Sequence, residues 1–389
     1  MSDSPVKSRA LVARGPFSEG KWAMEEVILR ELREDEVLVE MVASGLCHTD
    51  LHCGDTPDDK GVPGVYYPRV LGHEGSGYVQ KVGSAVTHVK PGDPVLLSFT
   101  HCGHCHVCKT GPVSHCTSFF KINFMGGPVF APQSRPDEAL GGLFFGQSSF
   151  AQHTIASAKS VVNVGELGLT RDDLKVLAPF GCGFLTGSGT VFNVARAGPD
   201  DAIAIMGMGG VGLAAVMAAK NAGCKQIIGV DRIPSRLALA KTLGATHTID
   251  TTGLSLIPGG GEGSLVEAIR QAADGLGPTI AIDASGHQPL VVAAIEATRY
   301  MGKIIQVGAG MPDAAVTLPM QTWMDSGKQY FGAVMAQCNT AEYIPQMIRW
   351  WKDGDFPFER LVQSFSFDDY EATIESMIKG TVVKPIMVW

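Results

Sequence analysis

Residues Ala202–Asp231 read AIAIMGMGGVGLAAVMAAKNAGCKQIIGVD, and this stretch decides the fold. Ala202–Met206 is a short, wholly apolar run that predicts a buried strand. Gly207, Gly209 and Gly212 then fit G-x-G-x-x-G, with Gly210 and Val211 inside the turn. An apolar helix pattern follows over Leu213–Ala222, then a second strand, Gln226–Val230, ending on Asp231. Glycines between a strand and a helix let the backbone approach a pyrophosphate at a helix N-terminus. A carboxylate about 20 residues on is placed to accept from the adenosine ribose hydroxyls. Asp231 at that position favours NAD over NADP, while the adjacent Arg232 offers a cation that could accommodate a 2′-phosphate.

Working outward, the same rhythm continues toward the C-terminus with a helix at Pro234–Leu243 and strands at Thr279–Ile282 and Lys303–Val307. Alternating strands and helices predict a doubly wound parallel sheet. The Gly-rich Gly253–Gly263 reads as a surface loop. Upstream the rhythm differs. Glu36–Val42, Gly77–Val82 and Pro94–Phe99 are short strand candidates broken by Gly and Pro, which predicts an antiparallel, partly barrel-like β domain.

Between them lies HCGHCHVCKTGPVSHC, residues 101–116. Cys102, Cys105, Cys108 and Cys116 offer four thiolates at close spacing, a complete set for a closed, structural zinc site. His101, His104, His106 and His115 are interleaved and could compete, but only the cysteines form a complete set. Cys47, His73 and Cys182 remain as a dispersed Cys/His/Cys set, in SGLCHTDLH, GHEGSG and PFGCGFLTG.

These phrases, in this order and over nearly the whole chain, resemble the zinc-dependent medium-chain alcohol dehydrogenases, and PFGCGFLTG looks most like their aryl- and allylic-alcohol branch. The resemblance implies an α/β protein built of a GroES-like β-rich catalytic domain and a Rossmann domain, with the active site in the cleft between them. It divides the chain into 1–182 (catalytic, both zinc sites), 183–325 (Rossmann) and 326–389 (return to the catalytic domain). It implies two zinc ions per chain and NAD. Cys47, His73 and Cys182 would hold the catalytic zinc, with Glu74 behind it and Asp50 steadying His73. Thr49 would take the alcohol proton and pass it, through the cofactor ribose, to His52. His48 and Lys384 would lie at the pyrophosphate and Thr186 at the nicotinamide. Either Ser98 or Phe99 would line the pocket. The glutathione-dependent formaldehyde branch carries an Arg soon after the last structural cysteine; here the run is Thr117–Lys121, TSFFK.

The expected activity is hydride transfer between a primary alcohol, aromatic or allylic, and NAD. A biosynthetic carbonyl or iminium reductase of the same fold is the alternative. A non-catalytic NAD-binding protein would lack a ligand or relay residue, and none is missing. The net charge of −8 and the absence of a basic stripe argue against nucleic acid, and no apolar run is long enough for a bilayer. The nine cysteines without a disulfide pattern, and an N-terminus without a signal peptide, point to the cytosol. Charged residues are 18% of the chain against roughly 25% in typical domains, which suggests surface hidden in a subunit contact. The long stretch from Cys116 to Phe150 resembles the dimeric members of the family more than the shortened, often tetrameric ones, which implies a homodimer.

Overall fold

The computed structural model describes residues 5–257, 259, 261–311 and 313–389. The chain opens with β1 (Lys7–Ala13), β2 (Trp22–Leu29), β3 (Glu36–Gly45), β4 (Arg69–Val70), β5 (Gly75–Val82), β6 (Pro94–Leu97), β7 (Gly127–Pro132), β8 (Leu140–Gly142), β9 (His153–Ser157) and β10 (Val161–Asn163). It continues through β11 (Ala202–Met206), β12 (Gln226–Asp231), β13 (His247–Asp250), β14 (Ile280–Asp283), β15 (Lys303–Gln306) and β16 (Gln329–Gly332). It ends with β17 (Val362–Ser366) and β18 (Lys384–Val388). The residues divide into two compact units: the described residues through Cys182 with Asn339–Arg349 and Glu359–Trp389, and Gly183–Cys338 with Trp350–Phe358.

In the first unit, β1, β2, β7, β8 and β4 close into a barrel, and a second sheet runs in the order β10-β6-β5-β3-β18-β17, with β9 also on β3. Its strands are mostly antiparallel and pack an aliphatic core of Val37, Val39, Met41, Val79, Val95 and Leu97. Three registers aim the chain at one corner. Ser44 faces Gly75, so Cys47, just past β3, meets His73, just before β5. Ser76 faces Leu96, which brings the end of β6 alongside. Ile386 faces Gly45, so the C-terminal strand enters at the same corner with Lys384 at its head.

The second unit is a parallel sheet in the order β13-β12-β11-β14-β15-β16. All five residues of β11 are buried, as expected of a central strand covered on both faces. The helix Gly210–Asn221 starts earlier than the periodicity places it, because the fingerprint's last two glycines already form its first turn. Gly212 through Ala219 are buried all round, since the helix Gly183–Gly189 packs on its outer side.

The sequence puts the return to the first domain at residue 326, and the structure moves it. Gln329–Gly332 pairs parallel with β15 as the last strand of this sheet, so the chain stays here through Cys338, and Trp350–Phe358 belongs here too. A four-residue strand after a Pro- and Met-rich stretch has too little alternation to be read from sequence. In the expected loop Gly253–Gly263, positions 258 and 260 lie outside the described residues, and Leu254 and Leu256 pack on the core rather than facing solvent.

Candidate metal and cofactor sites

A donor atom from each of Cys47, His73, Glu74 and Cys182 lies within 4.8 Å of the others. Around them the polar groups are spoken for. Asp50, fully buried, accepts from His73 Nδ1 (2.9 Å) and the Gly72 amide (3.0 Å) through Oδ1, and from the Cys47 amide (3.0 Å) through Oδ2. With Nδ1 donating to a carboxylate, the lone pair falls on Nε2. That atom is buried and has no hydrogen-bond partner among the described residues. The Cys47 thiol is drawn below its ordinary value, chiefly by a hydrogen bond from Cys182, whose own thiol is correspondingly raised. An unpartnered imidazole nitrogen facing two sulfurs, one leaning toward thiolate, fits a zinc ion with a position left open.

Gln147 braces the corner, donating to the His73 carbonyl (2.9 Å) and the Ser98 carbonyl (2.9 Å) while accepting from the Gly75 amide (3.1 Å). Ser98 donates to the Gly181 carbonyl at 2.6 Å, next to Cys182, so its hydroxyl is committed to holding that ligand's loop. Phe99, also buried, lies 5.8 Å from the Phe119 ring.

Lys384 departs from expectation. Its side chain is buried, and Nζ donates to both Glu74 oxygens (2.8 and 2.9 Å) and to the Leu46 carbonyl (3.2 Å). Its three protons thus meet three protein acceptors. The register that brings β18 beside Gly45 puts it there. Burial pushes the Glu74 carboxyl up to about 7 against the pull of Lys384. Against its own burial, Lys384 is held above the usual lysine range by Glu74.

Thr49 lies in the first turn of the helix His48–Gly54, its hydroxyl 3.8 Å from the Cys47 sulfur. His48 and His52 sit one helical turn apart on that helix, and both are exposed. Two rings the sequence reading passed over complete the surroundings. Phe145 stacks on His73 at 4.5 Å and Phe144 meets it edge-on at 5.5 Å. Phe145 holds a left-handed backbone (φ 52°), which a bulky residue adopts only under tertiary constraint. The doublet FFG was the available signal.

In the other cluster, the sulfurs of Cys102, Cys105, Cys108 and Cys116 also lie within 4.8 Å of one another, and none is in a disulfide. Tetrahedral zinc at about 2.3 Å from each sulfur would set them about 3.8 Å apart, and Cys102 and Cys108 stand at 3.9 Å. Backbone amides already point at them: Cys105 at Cys102, Cys108 at Cys105, and Cys102 and Ser118 at Cys116, at 3.3–3.4 Å. The Cys108 amide, with help from Thr117, brings the Cys105 thiol down to about 5. The interleaved histidines do not join the set.

In the second unit, Gly207 takes φ 91°, a conformation suited to glycine, and a Cβ on Gly212 would strike the Gly207 carbonyl oxygen. A Cβ on Gly209 would meet no protein atom, leaving the first-turn amides of the helix Gly210–Asn221 open to a phosphate. Asp231 is buried at the end of β12. Its Oδ2 accepts from the Met208 amide (2.6 Å), and its Oδ1 from the amides of Arg232 (2.7 Å) and Ile233 (3.0 Å). The Arg232 side chain is exposed. Thr186 is buried, with its hydroxyl 3.8 Å from the Met335 sulfur. Gly187, also unread in the sequence, is where helix meets helix: a Cβ there would collide with the Val211 carbonyl.

The family model for the alcohol dehydrogenase GroES-like domain matches residues 33–166, and that for zinc-binding dehydrogenases matches residues 210–353. A geraniol dehydrogenase of Castellaniella defragrans is 37% identical over 378 residues, covering 95% of each chain. A zinc-binding-domain alcohol dehydrogenase of Burkholderia ambifaria superposes with TM-score 0.90 at 34% identity, over 99% of both chains. The benzyl alcohol dehydrogenase of Acinetobacter calcoaceticus does so with TM-score 0.87 at 34% identity, over 98% of this chain and 99% of that one. With both metal clusters and the dinucleotide turn in place, the chain belongs to the zinc-dependent medium-chain alcohol dehydrogenases, a family of oxidoreductases.

Proposed function

We propose that this enzyme interconverts a primary aromatic or allylic alcohol and its aldehyde, with NAD as hydride partner. The observation that carries the reading is the buried, unpartnered Nε2 of His73 facing the sulfurs of Cys47 and Cys182. A zinc ion held there supplies Lewis acidity toward an alcohol or carbonyl oxygen. Asp50 keeps the imidazole in the ligating tautomer. Glu74, neutralised by Lys384, sits behind the donors. Thr49 would accept the alcohol proton as it gives up its own, and the exposed His52 would deliver a proton to solvent. In the other unit, the Gly207–Gly212 turn holds the pyrophosphate, Asp231 the adenosine ribose, and Thr186 the nicotinamide.

Two features favour aromatic and allylic substrates: rings pack against His73, and the relatives act, by their names, on geraniol and benzyl alcohol. Cys102, Cys105, Cys108 and Cys116 take a second zinc that does no chemistry. The enzyme works in the cytosol, where nine unpaired cysteines stay reduced, and as a homodimer. Among the described residues no helix is long and apolar enough to cross a membrane. A spectrophotometric screen of alcohols with NAD at alkaline pH tests the substrate class. Benzyl alcohol and geraniol should exceed ethanol by at least about tenfold in kcat/KM, and a preference for ethanol would refute the reading.

A further inference from the structure

Arg69 is among the largest fully buried side chains and has no ion-pair partner among the described residues. A buried cation without a carboxylate is expensive, and an aliphatic side chain of the same size would fill the space at less cost. The geometry shows what the guanidinium does. Nη1 donates to the Gly64 carbonyl (2.7 Å) and Nη2 to the Phe124 carbonyl (2.8 Å), while Nε, equally buried, has no partner. The cation lies 4.2 Å from the Tyr66 ring centroid and 4.7 Å from that of Phe144. One planar group therefore fastens three separate segments: the loop at Gly64–Tyr66, the short helix Lys121–Met125 at Phe124 and the turn at Phe144.

These segments carry a continuous row of rings. Phe144 stands against His73, Phe124 meets Phe144 at 5.9 Å, and Phe120 stacks on Phe124 at 4.9 Å. Phe120 is 45% exposed, so the row runs from the metal-binding imidazole to solvent. Gly64 is pressed onto it, its Cβ position 3.0 Å from Phe124 and 3.2 Å from Phe120.

We propose that Arg69 is a positioning residue for substrate specificity: by clamping the Gly64, Phe124 and Phe144 segments together it fixes the aromatic wall along which an aryl or allylic group lies. The inference rests on the substrate class proposed above. Arg supplies both the two-pronged donor and a flat cation for two rings. Lys retains only a point charge, and Met only the volume.

The test compares kcat/KM for benzyl alcohol and hexan-1-ol in the wild type, Arg69→Lys and Arg69→Met, with zinc content and circular dichroism as controls. In Arg69→Met the benzyl-to-hexyl ratio should fall at least about tenfold, chiefly through KM for benzyl alcohol, with kcat for hexan-1-ol within about twofold of wild type. Arg69→Lys should fall in between, and it decides the matter if Arg69→Met does not fold. An unchanged ratio in the folded variants, or an equal loss of kcat for both alcohols, overturns the role of Arg69 alone. A wild-type ratio near one overturns the aryl or allylic reading and the wall's role together.

Discussion

At the residue scale, similar side chains end in different roles because of what surrounds them. Lys384 looks in sequence like a cation awaiting a phosphate, yet the strand it heads buries it against Glu74. Nothing local in VVKPIMVW announces that register, because strand pairing across some 340 residues is a property of the fold. Lys384→Met should therefore act as the breaking of a buried ion pair: a loss of about 3–5 kcal/mol in stability, read by thermal or denaturant unfolding, with the KM for NAD nearly unchanged. A large rise in that KM with stability intact would restore the pyrophosphate role. Asp231 shows the opposite case, legible from its place after the second strand, though the amides of Met208, Arg232 and Ile233 that orient it were not. With the carboxylate fixed there, a 2′-phosphate meets negative charge, and NAD should be preferred over NADP by at least about tenfold in kcat/KM. Asp231→Ser should narrow that ratio through cofactor KM. It should also weaken NAD binding, since three amides lose their acceptor. Equal use of both cofactors by the wild type would place control with Arg232.

At the scale of elements, the sequence was informative where chemistry forces a local pattern and silent where packing does the work. β11 and the helix Pro234–Leu243 match their sequence readings end to end, because a buried parallel strand must be apolar throughout and Pro favours a helix start. The four-cysteine loop is equally local. The aromatic turn around Phe144 is not: its backbone is irregular, Leu143, Phe145 and Ser148 all take positive φ, and only tertiary contacts hold it. The two metal clusters differ in the same sense. The loop carrying Cys102–Cys116 has little regular structure of its own, whereas Cys47, His73 and Cys182 stand at the corner of a finished sheet. Losing a ligand should thus have opposite consequences. Cys105→Ser should lower the melting temperature and soluble yield and drop metal content toward one zinc per chain. Cys47→Ser should keep the fold within about 1 kcal/mol and abolish turnover. Elemental analysis with circular dichroism distinguishes them, and the reverse pattern would exchange the structural and catalytic assignments.

For the whole molecule, the sequence conveyed two kinds of folding rhythm and where they change, but not that the second sheet keeps one more strand. That strand, β16, also bears on assembly. It pairs only with β15 and leaves its other edge without a strand among the described residues. Unprotected edges invite pairing with another chain, and monomers usually blunt them with charge or proline. Here Phe331 on the edge is 38% exposed, and no charged residue interrupts Gln329–Gly332. Met301 is 70% exposed beside the end of the preceding helix, and on that helix Met320 and Met324 are 88% and 69% exposed. Several large apolar side chains in one neighbourhood, on a chain whose charged fraction is only 18%, call for a cover. A second copy meeting edge to edge satisfies the unpaired backbone and hides the methionines at once, and a two-fold contact uses the edge up, which stops growth at two. Light scattering should therefore give about twice the 41.2 kDa chain mass. Phe331→Lys, which puts a charge on the paired edge, should shift the enzyme toward monomer while leaving both zinc ions bound. A wild-type monomer, or a dimer indifferent to Phe331→Lys, would exclude this edge as the contact.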